Sequence, residues 1–117
     1  MKYMLLIHHE ETLDEDERLP LLKESVQLAN HLHQQGQYVD AAPLEPIAHT
    51  VSVQVRDGKR IVTDGPFAET REHIGGYFLI EAADSDEAID IAGRIPGARI
   101  GTVEVRPVRV VEGLPEN

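Results

Sequence analysis

The sequence contains no cysteine, and this absence limits the chemistry open to the protein. A chain without thiols forms no disulfide, has no thiolate nucleophile and offers a metal ion no cysteine ligand. It has no need of an oxidising compartment, so we expect a cytoplasmic location. The other ligand types include the run HHEE at 8–11, whose spacing matches no metal-binding motif. We therefore expect neither a metal ion nor a cofactor.

Positive charge is also scarce. The 117 residues contain 11 Lys and Arg against 21 Asp and Glu, which gives a formal net charge of −10 at pH 7. A surface of that sign repels nucleic-acid phosphates and anionic lipids, so we expect neither nucleic acid nor a membrane as a direct partner. If the partner is a protein, this charge favours a basic one.

Long hydrophobic runs are absent as well. The apolar stretch MKYMLLI ends at His8, which makes it too short for the core of a signal peptide or for a membrane span. The length fits one domain, 1–117, which is large enough to bury a hydrophobic core of its own. We expect the tail 110–117 to fray.

Two predicted strands are apolar on both faces. In residues 3–8 and 77–82, successive side chains point to opposite sides of a sheet, and apolar residues occupy both sides. Both faces should therefore be covered. Helices can cover one face, but so short a chain has little left to cover the other. We therefore expect a homodimer that packs through the sheet.

The first helix is predicted over 15–35 from an amphipathic pattern. Pro20 fits its first turn, and Gly36 fits the position just beyond its end. Its apolar stripe has two adjacent rows, one of Leu22, Val26, Ala29 and His33 and the other of Leu21, Leu28 and Leu32. This stripe should face the sheet.

A hairpin is predicted after a short extended piece around 38–41. Residues 50–56 alternate between apolar and polar side chains, the Asp-Gly pair at 57–58 is typical of a two-residue turn, and 59–63 form the return strand. The side chains expected to point inward are Val51, Val53 and Val55. The polar side chains between them should face water.

The rest of the chain completes a βαββαβ order. Asp84 begins a second helix with the spacing of a capping box to Glu87, and the Pro-Gly pair at 96–97 stops that helix. Residues 102–106 form the last strand. The predicted fold class is therefore α+β, a ferredoxin-like βαββαβ sandwich with an extra β-hairpin.

The turn DGPF at 64–67 concentrates unusual backbone and ionisable side chains. Gly65 precedes a proline, which favours an extended backbone or one that only glycine adopts. In a functional interpretation, Asp64 is a general base or ligand anchor at a strand end. His8, at the end of the first strand, is then its acid–base partner across a pocket. These two residues are the predicted catalytic pair.

A structural interpretation of the same turn is also open. The Asp64 carboxylate then accepts backbone N–H groups of the following residues in an Asx turn, and Phe67 packs into the core. The turn needs these residue types even without catalysis. His8 is then only a polar strand end at the surface.

The segment after the turn is charged and has two interpretations. Glu69 or Arg71 closes as a lid over a ligand, or the segment is a solvated loop or a contact to a second subunit. The glycine pair at 75–76 is either a hinge for this movement or a bulge at the start of a strand. The predicted ligand-binding residues are Gly65, Pro66, Phe67, Glu69 and Arg71.

Four runs carry a resemblance to a known family: MKYMLLI at 1–7, TDGPFAET at 63–70, GGYFLI at 75–80 and GTVEVRP at 101–107. They span nearly the whole chain, and the DGPFAET run is highly specific. The sequence resembles the DGPF family of YCII-related proteins, which are mostly bacterial. The resemblance implies a dimeric α+β barrel of ferredoxin-like subunits. It also implies, for some members, a link by gene fusion or neighbourhood to extracytoplasmic-function sigma factors.

Two functions remain open from the sequence. The first is a small-molecule-binding or enzyme-like dimer. Its pocket lies between the sheet and the helices of each subunit, near the turn, and takes polar groups from Asp64, His8 and Glu69. The alternative is a non-catalytic regulatory or interaction module associated with sigma-factor-dependent transcription. A pocket of roughly a few hundred Å³ with converging polar groups favours the first. A filled core, with Asp64 bonded only to backbone, favours the second.

Overall fold

Strands and helices follow one another in the predicted order. The structure, a computed structural model, describes residues 1–115. In that part of the chain the strands are β1 (Lys2–His9), β2 (Tyr38–Pro43), β3 (Val51–Arg56), β4 (Lys59–Asp64), β5 (His73–Glu81) and β6 (Thr102–Pro107). The helices are α1 (Glu15–Gln34), α2 (Ser85–Arg94) and a short α3 (Gly97–Ile100), with a 3-10 helix at Ile47–His49.

The main sheet has the strand order β2-β5-β1-β6, and every neighbouring pair is antiparallel. Within residues 1–115, β3 and β4 pair with each other and form a separate two-stranded sheet. This mixed α+β architecture confirms the predicted ferredoxin-like fold with an extra hairpin. It also makes β1 and β5, the two doubly apolar strands, the centre of the sheet.

The hydrophobic core lies between one face of the sheet and the helices. Tyr3 and Leu5 of β1 are buried there, with their register partners Ile80 and Phe78 of β5. The helices contribute Leu28, Leu32, Ala88, Ile91 and Ala92. The residues that alternate with these on the strands, such as Met4 and Leu6, are only half-buried. The helices therefore cover one face of the sheet.

α1 begins earlier than its proline indicates. Asp14 is the N-cap, and its Oδ1 accepts the Glu17 N–H at 2.8 Å while Glu17 Oε1 accepts the Asp14 N–H at 3.1 Å. This capping box fixes Glu15 as the first helical residue. Pro20 consequently lies inside the helix, and its predicted first-turn position is wrong. At the other end, Gly36 has the positive φ of 73° expected just beyond the helix.

The hairpin projects from the body of the protein. Asp57 and Gly58 both have positive φ, 51° and 73°, which confirms the predicted two-residue turn. Val51, Val53 and Val55 are 55–61% exposed, so the prediction that they point into a core is wrong. The physical reason is that, among residues 1–115, β3 and β4 contact mainly each other, so no layer of helices or strands covers the valines. The radius of gyration is 16.0 Å, against about 13 Å for a compact chain of this length.

Two of the sequence predictions concern a membrane span and the tail of the chain. Within residues 1–115 no helix has the length and apolar character needed to cross a membrane. Residues 110–115 are exposed and contain no helix or strand, while 116–117 lie outside the described residues. The fraying of the tail stays a prediction.

Candidate functional site

The turn after β4 has the backbone that only glycine adopts easily. Gly65 has a φ of 90°, as the sequence predicts for this position. Its N–H donates to the Thr50 carbonyl oxygen at 2.7 Å, and the Ser52 hydroxyl donates to the Gly65 carbonyl oxygen at 2.7 Å. The base of the hairpin therefore holds the turn, and Ser52 is a structural residue that the sequence did not reveal.

The side chains of the turn do not follow the structural interpretation. Within residues 1–115 the Asp64 carboxylate accepts no hydrogen bond, so the predicted Asx turn is wrong. The Thr50 carbonyl oxygen and the Ser52 hydroxyl form the hydrogen bonds of the turn instead. Phe67 is 87% exposed, so its predicted packing into the core is also wrong. Asp64 and Phe67 are both exposed because they lie at the base of the projecting hairpin, away from the core.

His8 lies on the sheet face that the helices leave open. Its Nε2 is 3.1 Å from Glu104 Oε1 on the neighbouring strand β6. Among residues 1–115, this carboxylate is the side-chain partner of His8, and Asp64 is not. The catalytic roles of Asp64 and His8 stay predictions, without a hydrogen bond between the two.

The charged segment after the turn is tied to the end of β1. Arg71 Nη2 is 2.9 Å from Glu10 Oε1, and the Thr70 hydroxyl donates to the Glu72 carbonyl oxygen at 2.6 Å. Glu69 is exposed. The lid and the solvated loop both stay open, and so do the ligand-binding roles of Gly65, Pro66, Phe67, Glu69 and Arg71.

The glycine pair lies inside β5 rather than before it. Ile7 pairs with Gly76, but His8 pairs with Ile74, so Gly75 is an extra residue opposite β1. The bulge interpretation is therefore confirmed. The His9 ring lies against Gly75, where any larger side chain would overlap with it.

A cavity of about 700 Å³ lies between α1 and the sheet, and we call it the α1 cavity. Its roof includes Leu22 and Ala29 of α1, its floor includes Ala41 and Gly76, and Ile100 of α3 lies at one side. Its volume is typical of a site for a small organic molecule. Among residues 1–115, none of the seven predicted site residues lines it.

Small side chains explain why the α1 cavity exists. Its lining includes Ser25, Ala29, Ala41, Ala42, Gly75, Gly76 and Gly97. The two predicted rows of α1 also divide. Leu28 and Leu32 of one row are buried in the core, whereas Leu21 of that row lines the cavity together with Leu22, Val26, Ala29 and His33 of the other row. Among the sheet residues of the lining, Ala41, Ala42, Gly75 and Gly76 are too small to fill the space under α1.

Polar groups converge at one end of the α1 cavity. His9 and Arg18 line it and also line an adjoining cavity of about 240 Å³. His9 Nδ1 is 2.9 Å from the Glu10 carbonyl oxygen. Since a carbonyl only accepts, Nδ1 carries the proton, and in the neutral ring Nε2 is left as an acceptor. His9, rather than the predicted His8, lies at this end of the cavity.

An ion pair joins the roof of the α1 cavity to its side. Arg99 of α3 donates to both carboxylate oxygens of Glu24 on α1, at 3.0 and 2.6 Å. This bidentate hydrogen bond lowers the pKa of Glu24 below its ordinary value and raises that of Arg99. It connects α1 and α3, which both line the cavity.

Comparison with known proteins identifies the family. The model of the YCII-related domain matches residues 1–112. The chain is also 35% identical, over 122 aligned residues, to "Uncharacterized protein R00369" of Rhizobium meliloti (strain 1021), and the alignment covers 92% of each protein. The match extends over the sheet, the helices, the hairpin and the α1 cavity. The chain therefore belongs to the family of proteins with a YCII-related domain, as its sequence resemblance predicts.

Proposed function

We propose that this protein binds a small, largely apolar molecule in the α1 cavity. The observation that carries the proposal is the volume of about 700 Å³ with a lining of mostly apolar residues. Sites for small organic molecules have this size and character, with a few polar groups that fix the orientation of the ligand. Here His9 and Arg18 are those groups.

Two features favour ligand binding over a purely regulatory module. The space between α1 and the sheet is not filled, and the Asp64 carboxylate is not bonded to backbone within residues 1–115. A purely regulatory module gives no reason to expect either an unfilled space or an unbonded carboxylate. The association with sigma factors that the resemblance implies stays a prediction about some members of the family.

Filling the α1 cavity should abolish binding. Ala29→Phe places a ring into the space between α1 and the sheet, because Ala29 lines that space. We expect the neutral fluorescent dye N-phenyl-1-naphthylamine to bind the wild type with one site per chain. Its affinity should fall at least tenfold in Ala29→Phe, which corresponds to about 1.4 kcal/mol. Fluorescence titration measures both values.

The matched control puts the same side chain on the other side of α1. Gln27 is exposed and lies outside the cavity lining, so Gln27→Phe should bind the dye like the wild type. A melting curve for each variant establishes that it is folded. Equal dye affinity in folded Ala29→Phe and in the wild type would contradict the proposal.

We also propose that the protein is a homodimer. Two apolar surfaces support this: the sheet face with Met4 and Leu6, which the helices leave open, and the valine face of the projecting hairpin. Val53 and its register partner Val62 are 61% and 55% exposed. Exposed apolar patches rimmed by polar residues are typical of protein interfaces, and a second copy of the chain offers both surfaces again.

Light scattering at micromolar concentration should give twice the chain mass. Val53→Lys places a charge on the apolar face of the hairpin, so this variant should shift towards the monomer. Gln54→Lys, on the opposite face of the same strand, should stay dimeric. A wild type that is monomeric and normally stable would disprove the dimer.

A further inference from the structure

We infer that the ligand of the α1 cavity is an apolar organic anion whose carboxylate is held by Arg18. This inference rests on the proposed function and adds the chemical class of the ligand. It follows from the position of Arg18, from its lack of an ion-pair partner among residues 1–115, and from the contacts that Glu10 and Glu11 already make.

Arg18 differs from every other basic side chain of the protein. All 11 Lys and Arg residues lie within residues 1–115, and Arg18 is the one among them that is not exposed. It lies on α1 one turn before Leu22, and it lines both the α1 cavity and the adjoining smaller one. The one Lys or Arg side chain that is partly buried is thus at the polar end of the cavity.

Arg18 has no ion-pair partner within 4.0 Å in residues 1–115. This lack is unexpected in a chain with 21 acidic residues, several of them in the first turn of the same helix. A partly buried charge is normally compensated by an opposite charge or by hydrogen bonds. The missing counter-charge points to an anion that comes with the ligand.

The carboxylates that share the smaller cavity with Arg18 already have other partners. Glu10 and Glu11 line the smaller cavity together with Arg18. Glu10 Oε1 is paired with Arg71 at 2.9 Å, and both carboxylate oxygens of Glu11 accept the Ile47 N–H, at 2.9 and 3.2 Å. Neither carboxylate forms an ion pair with Arg18 among residues 1–115. Arg18 is therefore left available for a ligand.

A carboxylate suits this position for geometric reasons. A guanidinium donates two parallel hydrogen bonds to a carboxylate, and such charge-assisted bonds are about twice as strong as neutral ones. The apolar part of the ligand would extend from Arg18 beneath Leu22 and Ala29 towards Ile100. Because the protein as a whole is acidic, an anion would bind only where a specific cation compensates for the net charge.

The test compares two competitors that have the same chain length and differ in charge. Octanoate and 1-octanol each displace N-phenyl-1-naphthylamine from the wild type, from Arg18→Met and from Lys23→Met. Arg18→Met keeps an apolar stem but removes the guanidinium. We expect it to weaken octanoate about tenfold and to leave octanol unchanged. Lys23→Met removes an exposed cation of the same helix and should change neither affinity.

The outcomes separate this inference from the proposed function. If Arg18→Met leaves octanoate affinity unchanged, or weakens both competitors equally, the anion assignment is wrong while binding in the cavity stands. If the dye does not bind the wild type at all, the proposed function itself is wrong. Arg18→Lys keeps the charge but loses the two parallel donors, so its octanoate affinity should lie between those of the wild type and Arg18→Met. An unchanged affinity for octanol shows that each variant is folded.

Discussion

Replacing Gly101 by alanine is expected to lower the free energy of unfolding by about 3 kcal/mol, at the upper end of the range for overpacking. Gly101 lies between α3 and β6. A methyl group there would overlap with the His8 carbonyl oxygen and would lie 2.9 Å from the His9 Cβ atom. A backbone carbonyl cannot rotate away as a side chain does. β1 and the α3–β6 connection would therefore have to separate.

Thermal or urea unfolding measures this change, and Gly93→Ala is its control. Gly93 is an exposed residue of α2, and nothing lies within 4 Å of the position that a Cβ atom would take. Alanine has the higher helix propensity, so Gly93→Ala should stabilise the protein by roughly 0.5–1 kcal/mol. Replacing glycine by alanine is thus expected to destabilise the protein at position 101 and to stabilise it at position 93. A neutral Gly101→Ala would mean that β1 and α3 are not in close contact.

The second large effect is expected at Leu32. This side chain is 0% exposed and, with Leu28, anchors the carboxyl-terminal half of α1 to the sheet. Other residues along the helix, from Arg18 to His33, line the cavity and are not part of the buried core. Leu32→Ala should therefore lower the free energy of unfolding by about 2–5 kcal/mol, because the loss of buried methyl groups leaves a void.

Leu19→Ala is the matched control on the same helix. Leu19 is 48% exposed, so its truncation should change the free energy of unfolding by no more than about 0.5 kcal/mol. Chemical denaturation of both variants gives the comparison. Equal losses at the two positions would show that α1 is not anchored through Leu32.

Much of the fold could be predicted because its signals are local. The doubly apolar strands, the Asp-Gly turn at 57–58 and the cap at Asp84 each depend on a few consecutive residues. Pro20 was misleading for the same reason: proline fits a first turn, but the Asp14 capping box starts the helix earlier. The prediction that the hairpin valines point into a core was wrong. An alternating pattern shows that the valines share one face of the strand, but it does not show whether anything covers that face.

The site could be predicted less well, because a cavity is a property of packing. Its volume depends on how far α1 lies from the sheet, and this distance is set by small residues scattered along the chain. Two signals were nevertheless present. His9 shares a strand face with the buried Leu5 and with Ile7, whereas His8 shares the other face. Arg18 stands in line with Leu22 and Val26 on the apolar stripe, an unusual place for a cation.

The central claim is that the ligand binds between α1 and the sheet, and the chain has other exposed apolar surfaces on which a dye could adsorb. The most direct measurement is a set of nuclear Overhauser contacts between bound N-phenyl-1-naphthylamine and the methyl groups of the protein. Binding in the α1 cavity predicts contacts to Leu22, Val26 and Ile100. Contacts confined to the hairpin, at Val53 and Val55, would contradict it.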